Sequence, residues 1–276
     1  MRTPLEKENE LRLMLRENGD LAVAFSGGVD SSYLLKVASE ELRDNAIGVI
    51  AVSPTYPQRE HQRASRMGQE LGIRIFTIET DEMDCEDFTS NPTDRCYYCK
   101  TTLFDKLIQR AQAEGINHVA DGSNLDDLGD HRPGMKALSE LGVISPLRQC
   151  GMTKADIRER SRELGLETWD LPSFACLASR FPYGTEITPE ALRKVETAEN
   201  AFFERGFRLV RVRHYGDMAR IELAPDELPR LFEDNIKEDL VHILKDAGYN
   251  YITVDLEGYR TGSMNEGIAQ STKTLI

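Results

Sequence analysis

The chain has 276 residues, of which 47 are acidic and 34 basic, so that its formal net charge is −13. A chain of this length can bury a sizeable core as one large or two modest domains, and 40% apolar with 29% charged residues is a globular composition. The acidic balance argues against a nucleic-acid backbone as partner and favours a small substrate.

Membrane and export signals are missing from the pattern. No apolar run approaches the roughly 20 residues that a membrane helix needs, and residues 1–10 carry several acids without the apolar core of a signal peptide. We therefore expect a cytoplasmic protein with no membrane association. Its five cysteines are then better explained as metal ligands, catalytic groups or buried thiols than as disulfides.

The first part of the chain alternates helical and strand patterns. An amphipathic helix over 6–17 leads into an apolar strand over 21–25. Further helices are predicted over 29–42 and 59–71, with a second, buried strand over 47–52 and a third strand over 73–78. Strands that alternate with helices at this spacing favour a doubly wound parallel sheet of the α/β class.

Periodicity stops between 79 and 95, and this acidic segment is predicted as a long loop that delivers Cys96-Tyr97-Tyr98-Cys99. The pattern then predicts regular elements again, a helix over 101–114, a short strand over 117–120 and helices over 136–141 and 154–164. These elements complete a first domain over 1–170.

A second irregular stretch, 171–187, contains two prolines and a glycine, and we interpret it as the joint between domains and a wall of the active site. Thr188-Pro189-Glu190 predicts the start of a helix that runs to about 205. Later patterns predict a hairpin over 209–223, two helical segments within 225–248 and a strand over 251–254. The result is a smaller α+β domain over 188–276, expected to serve substrate binding and assembly.

Ala24-Phe25-Ser26-Gly27-Gly28-Val29-Asp30-Ser31-Ser32 joins the first strand to the second helix. Glycines let backbone N–H groups approach a ligand closely, and a helix start adds unpaired donors and positive dipole. An anion is expected there, and a polyphosphate fits the cradle. The loop is not a Walker A motif, because the GxxxxGK[ST] spacing and its lysine are missing. The alternative is an ordinary turn in which the glycines only relieve strain.

The string Ser-Gly-Gly-Val-Asp-Ser resembles the PP-loop of ATP pyrophosphatases, which cleave ATP between its α and β phosphates to adenylate an acceptor. The resemblance implies that Asp30 helps to place Mg²⁺ or the reacting groups, and that Ser53, after the second strand, lies on the nucleoside side. Asp121 and Gly122, at another strand end, are further nucleotide contacts, and most other acids of that stretch are interpreted as a solvated loop. The ATP-binding set is Ala24, Ser26, Gly27, Gly28, Asp30, Ser31, Ser53, Asp121 and Gly122.

The thiols offer a second kind of site. Cys96 and Cys99 have CxxC spacing, typical of a redox dithiol, half a zinc site or cluster ligands. No second CxxC or HxxxH exists in the chain, which argues against a structural zinc site. Cys176 is the natural third thiol because its segment, like that of Cys96, is irregular and rich in chemically active residues. Three thiolates on a cubane cluster leave one iron able to bind and hand over sulfide. Cys85 and Cys150 are interpreted as passive thiols or as a fourth ligand, and the alternative for the trio is unconnected small buried residues.

The chain as a whole resembles the LarE family, the ATP-dependent sulfur transferases that make the nickel-pincer nucleotide cofactor of lactate racemase. The matching motifs are 24–31, 130–134, 179–185, 210–213 and 255–262. The resemblance implies adenylation of a carboxylate of pyridinium-3,5-biscarboxylic acid mononucleotide with release of pyrophosphate. Sulfur then attacks the acyl adenylate to give a thiocarboxylate and AMP.

Five residues are candidates for substrate binding. Arg211 and Arg213 lie two apart on a strand, so both point to one face and could clamp a phosphate or carboxylate. The alternative for this pair is a solvated strand face. Ser179, Arg180 and Glu199 match positions that line the substrate pocket in the family.

One branch of the family gives up the sulfur of a single cysteine and ends as dehydroalanine. Cys96 and Cys99 instead resemble the branch in which three cysteines hold a [4Fe-4S] cluster, and Cys176 would be the third ligand. The resemblance implies two catalytic residues, Cys176 and Asp30. The expected cofactors are ATP, Mg²⁺ and this cluster. The expected partners are a small nucleotide substrate and a sulfide donor. The protein itself is expected to form a homo-oligomer.

Other functions compete with this one. A cluster-dependent tRNA thiolase and sacrificial transfer of sulfur from Cys176 are the main alternatives. An amide-forming PP-loop enzyme would leave the thiols without a task, and a non-catalytic nucleotide-binding module with a structural metal would bind ATP without releasing pyrophosphate.

Overall fold

The computed structural model describes residues 2–129, 133–172, 175–233 and 235–265. The chain divides into two compact units. Unit 1 comprises Met1–Phe88 and Asp94–Phe174, and unit 2 comprises Thr89–Thr93 and Ala175–Ile276. The segment 89–93 therefore belongs with the second unit, and the predicted joint over 171–187 is shared between the two.

Unit 1 is built on a parallel sheet with strand order β3-β2-β1-β4 in the part of the chain described above. Its strands are β1 (Leu21–Ala24), β2 (Ala46–Val52), β3 (Arg74–Glu79) and β4 (Val119–Ala120). The helices up to residue 163 are α1 (Pro4–Asn18), α2 (Val29–Leu42), α3 (Gln58–Glu70), α4 (Glu86–Thr89), α5 (Arg95–Ala113), α6 (Pro133–Glu140), α7 (Pro146–Gln149) and α8 (Lys154–Glu163). The predicted α/β fold with a parallel sheet is confirmed.

Both faces of this sheet are covered by apolar side chains. Leu21 and Val23 of β1 pack into one core cluster, whereas Ala22 between them packs into another. This alternation follows from the pleat, which sends successive side chains to opposite faces. A strand buried on both faces reads as a continuous apolar run, as β1 does. Because these strands run parallel, the carboxyl ends of β1, β2 and β4 meet at one edge of the sheet, where the predicted nucleotide contacts lie.

The segment 79–95, predicted as a long loop, is only partly irregular, so the prediction is wrong in part. It contains a 3-10 turn at Glu82–Asp84 and the single helical turn α4, and α5 begins at Arg95 rather than near 101. Asp94 occupies the N-cap position of α5 without a side-chain capping hydrogen bond, and a Cys-Tyr-Tyr-Cys run has low helix propensity, so the usual start signals are missing. Cys96 and Cys99 consequently lie on a helix and not on a loop.

Unit 2 is a small α+β arrangement, as predicted. It contains α9 (Pro189–Glu204), β5 (Val210–Tyr215), β6 (Met218–Leu223), α10 (Ile236–Asp246) and β7 (Tyr251–Val254). The β5–β6 hairpin is antiparallel and β7 runs parallel to β6. Thr188 caps α9, its hydroxyl accepting a hydrogen bond from the Ala191 amide at 3.2 Å. As for membranes, each helix in the described ranges is too short or too polar to span one.

Candidate active site

The glycine loop after β1 leads into a helix start without a side-chain cap, while its Ser26 and Gly28 amides donate to the hydroxyls of Ser31 at 3.3 Å and Ser26 at 3.4 Å. Gly27 has φ +69°, a conformation that favours glycine, and a Cβ there would lie 2.9 Å from the Cβ of Ala64 on α3. Gly28 is the N-cap of α2 and supplies no side-chain cap. The hydroxyls of Ser26 and Ser31 lie 3.1 Å apart. Uncapped amides at a helix start, approached through glycine, form a site suited to an anion.

Asp30, on the first turn of α2, is half-buried and lies beside charged groups. Its Oδ2 accepts a hydrogen bond from Lys154 Nζ at 2.6 Å, whereas Oδ1 is buried and has no hydrogen-bond partner among the described residues. Burial raises the pKa of Asp30 above its usual value; Lys154 opposes this shift most strongly, Asp127 adds to it, and a hydrogen bond from the Asn124 side chain opposes it. An orphaned carboxylate oxygen suits Mg²⁺, which takes one or two carboxylates together with substrate phosphates.

The end of β4 reaches the same helix start. A Cβ on Gly122 would lie 3.1 Å from the backbone nitrogen of Ser31, so any larger residue would be crowded at this approach. Asp121 is buried, and its Oδ1 accepts a hydrogen bond from Ser145 Oγ at 2.6 Å. Its Oδ2 lies 3.8 Å from Lys100 Nζ. Both predicted contacts on β4 therefore lie at the strand end, and Gly122 abuts the start of α2.

Ser53, after β2, belongs to a hydroxyl cluster around a buried carboxylate. Ser53 and Thr55 both donate to Oε1 of Glu82, the latter at 2.7 Å, and Glu82 is 1% exposed. The Thr55 amide also donates to Ser53 Oγ at 3.0 Å. Sequence reasoning missed Glu82 because it lies in the segment predicted as an irregular loop. The cluster fixes the turn that follows β2, where the nucleoside side was predicted.

Cys96 and Cys99 lie in the first turns of α5, where a spacing of three brings side chains to one face. Cys96 is exposed and Cys99 is half-buried. The next residue, Lys100, is the cation near Asp121, which brings this turn close to the end of β4. Within the ranges that the structure describes, no three His, Cys, Asp or Glu side chains converge to hold a metal ion.

The two remaining thiols of unit 1 differ from each other. Cys150 is fully buried in the core, and burial raises its pKa to about 11, as expected of a passive thiol. Cys85 is half-buried. The pKa of Tyr98 is raised by Asp94, by Asp87, by burial and then by Cys85, so Cys85 lies near the turn that carries the CxxC pair.

In unit 2, Arg180 links the Cys176 segment to α9. Its guanidinium, buried to 1% exposure, donates to Glu199 Oε1 at 2.7 Å and Oε2 at 2.9 Å. Its Nη1 donates to the carbonyls of Ala175 at 2.9 Å and Cys176 at 3.2 Å, and to Ser179 Oγ at 2.8 Å. Burial would lower the pKa of Arg180, but Glu199 and then Cys176 raise it overall. The half-buried Cys176 therefore lies within electrostatic reach of this guanidinium.

Arg211 and Arg213 are 2% and 5% exposed, so the alternative of a solvated strand face is wrong. Nη2 of Arg213 donates to Glu222 Oε2 at 2.6 Å, and its Nη1 donates to the Ser179 carbonyl at 3.1 Å. The guanidinium of Arg211 lies 5.2 Å from the ring centre of Tyr259. Sequence reasoning missed Glu222, although alternation on β6 could have placed it beside the arginines.

The buried charges of this cluster do not cancel. Three buried arginines, Arg180, Arg211 and Arg213, share two buried carboxylates, Glu199 and Glu222, whereas the third buried carboxylate in the described part of the unit, Glu227, accepts from the amides of Arg208 and Leu209 instead. Burial and the charge of Arg180 lower the pKa of Arg211 to about 10, against the effect of Glu199. A surplus positive charge in a low-dielectric setting favours a small anion.

One comparison with known proteins matches the part of the chain around the glycine loop, and three others match nearly the whole chain. A family model described as NAD synthase matches residues 7–95. A Lactiplantibacillus plantarum protein named pyridinium-3,5-bisthiocarboxylic acid mononucleotide synthase is 35% identical over 274 residues, which cover 98% of each chain. The uncharacterized protein slr1717 of Synechocystis sp. is 42% identical over 94% of this chain and 97% of its own. The uncharacterized protein MJ0830 of Methanocaldococcus jannaschii is 30% identical over 93% and 98%.

A glycine loop at the end of the first strand of a parallel sheet, matched by the NAD synthase model, defines an ATP-using enzyme of the PP-loop class. ATP and Mg²⁺ fit this class. The similarity to the L. plantarum synthase runs over nearly all of both chains, and the chain belongs to the LarE family of ATP-dependent sulfurtransferases. The predicted family is confirmed. The roles of individual site residues stay predictions, and residues 130–132 of one family motif lie outside the described residues.

Proposed function

We propose that the protein uses ATP to convert a carboxylate of pyridinium-3,5-biscarboxylic acid mononucleotide into a thiocarboxylate. The observation that carries this proposal is the 35% identity over 98% of both chains to a synthase named for the bisthiocarboxylic product. The surplus positive charge around Arg211 supports it, because the substrate is a small anion. The reaction has two steps, adenylation and sulfur transfer.

In the first step a carboxylate oxygen of the substrate attacks the α phosphate of ATP and pyrophosphate leaves. A carboxylate is a poor electrophile, and the bond to AMP gives its carbon a good leaving group. The amides after β1 and the start of α2 would stabilise the departing pyrophosphate. Asp30 would use its free oxygen for Mg²⁺, and Lys154 would hold the other carboxylate oxygen in place.

Arg211 and Arg213 would bind the phosphate or a carboxylate of the mononucleotide. Both are buried, so their charges are weakly screened and their positions are restricted. Arg180 would fix the backbone around Cys176, because it donates hydrogen bonds to the carbonyls of Ala175 and Cys176. Glu199 would hold Arg180 in that position, and Ser179 would complete this wall of the site.

In the second step a sulfur nucleophile attacks the acyl carbon, the bond to AMP breaks with its electron pair, and the thiocarboxylate forms. We propose Cys96, Cys99 and Cys176 as ligands of a [4Fe-4S] cluster, which would supply sulfide at an iron that has no protein ligand. The thiol pair on one face of α5 suits such a ligand set. The cluster, the sulfide donor, the homo-oligomer and the cytoplasmic location all stay predictions.

Sacrificial transfer from Cys176 is the second candidate. It is favoured by one observation, the hydrogen bond at 3.2 Å from Arg180 Nη1 to the carbonyl of Cys176, which places this cysteine beside the arginine cluster. The two mechanisms differ in stoichiometry. Protein prepared without oxygen should contain iron and sulfide and turn over repeatedly under the cluster mechanism, whereas one turnover per chain with loss of the Cys176 sulfur would support the sacrificial one.

The test of the function is pyrophosphate release from ATP with and without the dicarboxylate mononucleotide, followed by mass spectrometry of the product. We expect release that depends on the mononucleotide and is lost in Asp30→Asn. Asp226→Asn, on a side chain that is 67% exposed and pairs with Arg208, is the matched control and should behave as wild type. ATP binding without pyrophosphate release would contradict the proposal, and a salt-sensitive gel shift with tRNA would favour a thiolase instead.

A further inference from the structure

Residues 255–263 follow β7 and include a family motif to which the reaction gives no role. We propose that this segment, here named the clasp, positions both substrate arginines, holding Arg211 through Tyr259 and Arg213 through Ser263. The inference rests on the proposed function in treating these arginines as the anion-binding groups. It assigns Tyr259 and Ser263 as positioning residues that act through the arginines.

The clasp is attached to the end of the hairpin by backbone hydrogen bonds. The amide of Asp255 donates to the carbonyl of Ile221 at 2.9 Å, and the amide of Tyr259 donates to that of Leu223 at 2.7 Å. Gly258, between them, has φ +71°, and a Cβ there would lie 2.6 Å from the Leu223 carbonyl oxygen. The tight turn therefore requires glycine and fixes the place where Tyr259 leaves the backbone.

Tyr259 meets Arg211 through its ring. The guanidinium carbon lies 5.2 Å from the ring centre, within the range of a cation–π contact. Nη1 of Arg211 also donates to the carbonyl of Val210 at 2.8 Å. An aromatic face and a carbonyl hold a guanidinium without cancelling its charge, as a carboxylate would. Tyr259 therefore restricts the position of Arg211 through a contact that brings no formal negative charge.

Ser263 meets Arg213 through its hydroxyl. The hydroxyl accepts from Nη2 of Arg213 at 3.1 Å and donates to Oε1 of Glu222 at 3.2 Å. Nη2 of Arg220 donates to the same Glu222 oxygen at 2.9 Å, and Nε of Arg220 lies 3.8 Å from Asp255 Oδ2. Ser263 is 9% exposed, so these bonds are little screened. The clasp thus contacts Arg213 at one end and, through Asp255, the flanking arginine at the other.

Positioning residues of this kind should change binding more than chemistry. Arg211 and Arg213 are flexible side chains, and a group that fixes them lowers the conformational cost of binding an anion. Since the same anion is bound in the ground state and the transition state, loss of the clasp should raise KM and leave kcat nearly unchanged. The KM for ATP should not change, because the contacts of the clasp described above involve none of the residues assigned to ATP.

The decisive comparison is Tyr259→Leu against Tyr259→Phe, which removes only the hydroxyl. We expect Tyr259→Leu to raise KM for the mononucleotide about tenfold and to change kcat less than about threefold, with Tyr259→Phe within about twofold of wild type. Ser263→Ala should also raise KM for the mononucleotide. Tyr251→Leu, on a tyrosine that is 63% exposed on β7, is the control for the substitution itself and should leave KM unchanged.

Binding of inorganic phosphate to protein saturated with ATP, which occupies the other anion site at the glycine loop, is measured by calorimetry and tests the clasp without turnover. Weaker phosphate binding by Tyr259→Leu and Ser263→Ala, with binding kept by Tyr259→Phe, would support the clasp even if the mononucleotide is not the substrate. Equal phosphate affinity in Tyr259→Leu, Ser263→Ala and wild type would overturn it. Failure of the wild-type protein to release pyrophosphate with the mononucleotide would instead contradict the proposed function, so the two failures are distinguishable.

Discussion

Glu199 is the buried carboxylate on which the arginine cluster depends most directly. It accepts two hydrogen bonds from Arg180, at 2.7 and 2.9 Å, and one from the Val212 amide at 3.0 Å. Burial alone would raise the pKa of Glu199, but the charge and hydrogen bonds of Arg180, followed by Arg211, hold it below its usual value. The group is therefore ionised at neutral pH, and its charge is needed where it lies.

Glu199→Gln keeps the shape of the side chain and removes its charge. Breaking a buried ion pair by removing one partner costs about 3–5 kcal/mol, because the other charge stays buried. The amide retains one acceptor for Arg180, so we expect a loss near the lower end, about 3 kcal/mol in the free energy of unfolding at pH 7. A carboxylate with a lowered folded pKa stabilises the fold above its ordinary value of 4.5, and this contribution is lost as pH falls through the folded pKa.

Urea unfolding followed by circular dichroism at pH 7 and at acidic pH measures both effects. The matched control is Glu190→Gln on the same helix, where the side chain is 73% exposed and lies 3.3 Å from Lys194, and its cost should stay within about 0.5 kcal/mol. The difference between Glu199→Gln and wild type should shrink as the pH falls. A loss below about 1 kcal/mol at pH 7, or one equal to the control, would refute the reasoning.

Three further substitutions test unit 1. Asp30→Asn should reduce pyrophosphate release at least about 100-fold yet leave the urea midpoint unchanged or higher, because burial already disfavours the charged form; an unchanged rate would contradict the Mg²⁺ role. Gly27→Ala should cost about 1–3 kcal/mol more in urea unfolding than Gly19→Ala, since both have positive φ but a Cβ meets a neighbouring atom within 4 Å only at Gly27; equal costs would count against the close contact. After anaerobic preparation, Cys96→Ala should lack iron whereas Cys150→Ala should keep it, and iron analysis that finds the reverse would exclude the proposed ligand set.

Much of the fold is predictable because local patterns and burial agree. The helix predicted over 29–42 is observed at Val29–Leu42, since its start follows a glycine loop and its apolar residues recur at helical spacing. The buried strand predicted over 47–52 is likewise observed, at Ala46–Val52. Short apolar runs bounded by turn residues leave few alternatives for a strand in a sheet covered on both faces.

The partners of the site residues are not predictable in this way. Lys154 is 124 residues from Asp30, and Glu82 is 29 residues from Ser53, so tertiary packing alone selects these pairs. Any of the many acids in the chain could have been the partner of a given lysine or hydroxyl. The start of α5 was missed for a local reason, since it has no capping side chain at Asp94 to announce it.

The net charge of −13 acts over the whole surface, whereas the surplus positive charge around Arg211 acts only on a ligand in its site. A long polyanion must approach many surface charges at once, and screening leaves an acidic surface repulsive within about 10 Å at moderate salt. A mononucleotide carries a single phosphate and meets only the charges that line its site, where burial strengthens each one. An acidic protein with buried arginines therefore disfavours nucleic acid and still accepts one small anion, so the composition and the arginine cluster argue together for a small nucleotide substrate.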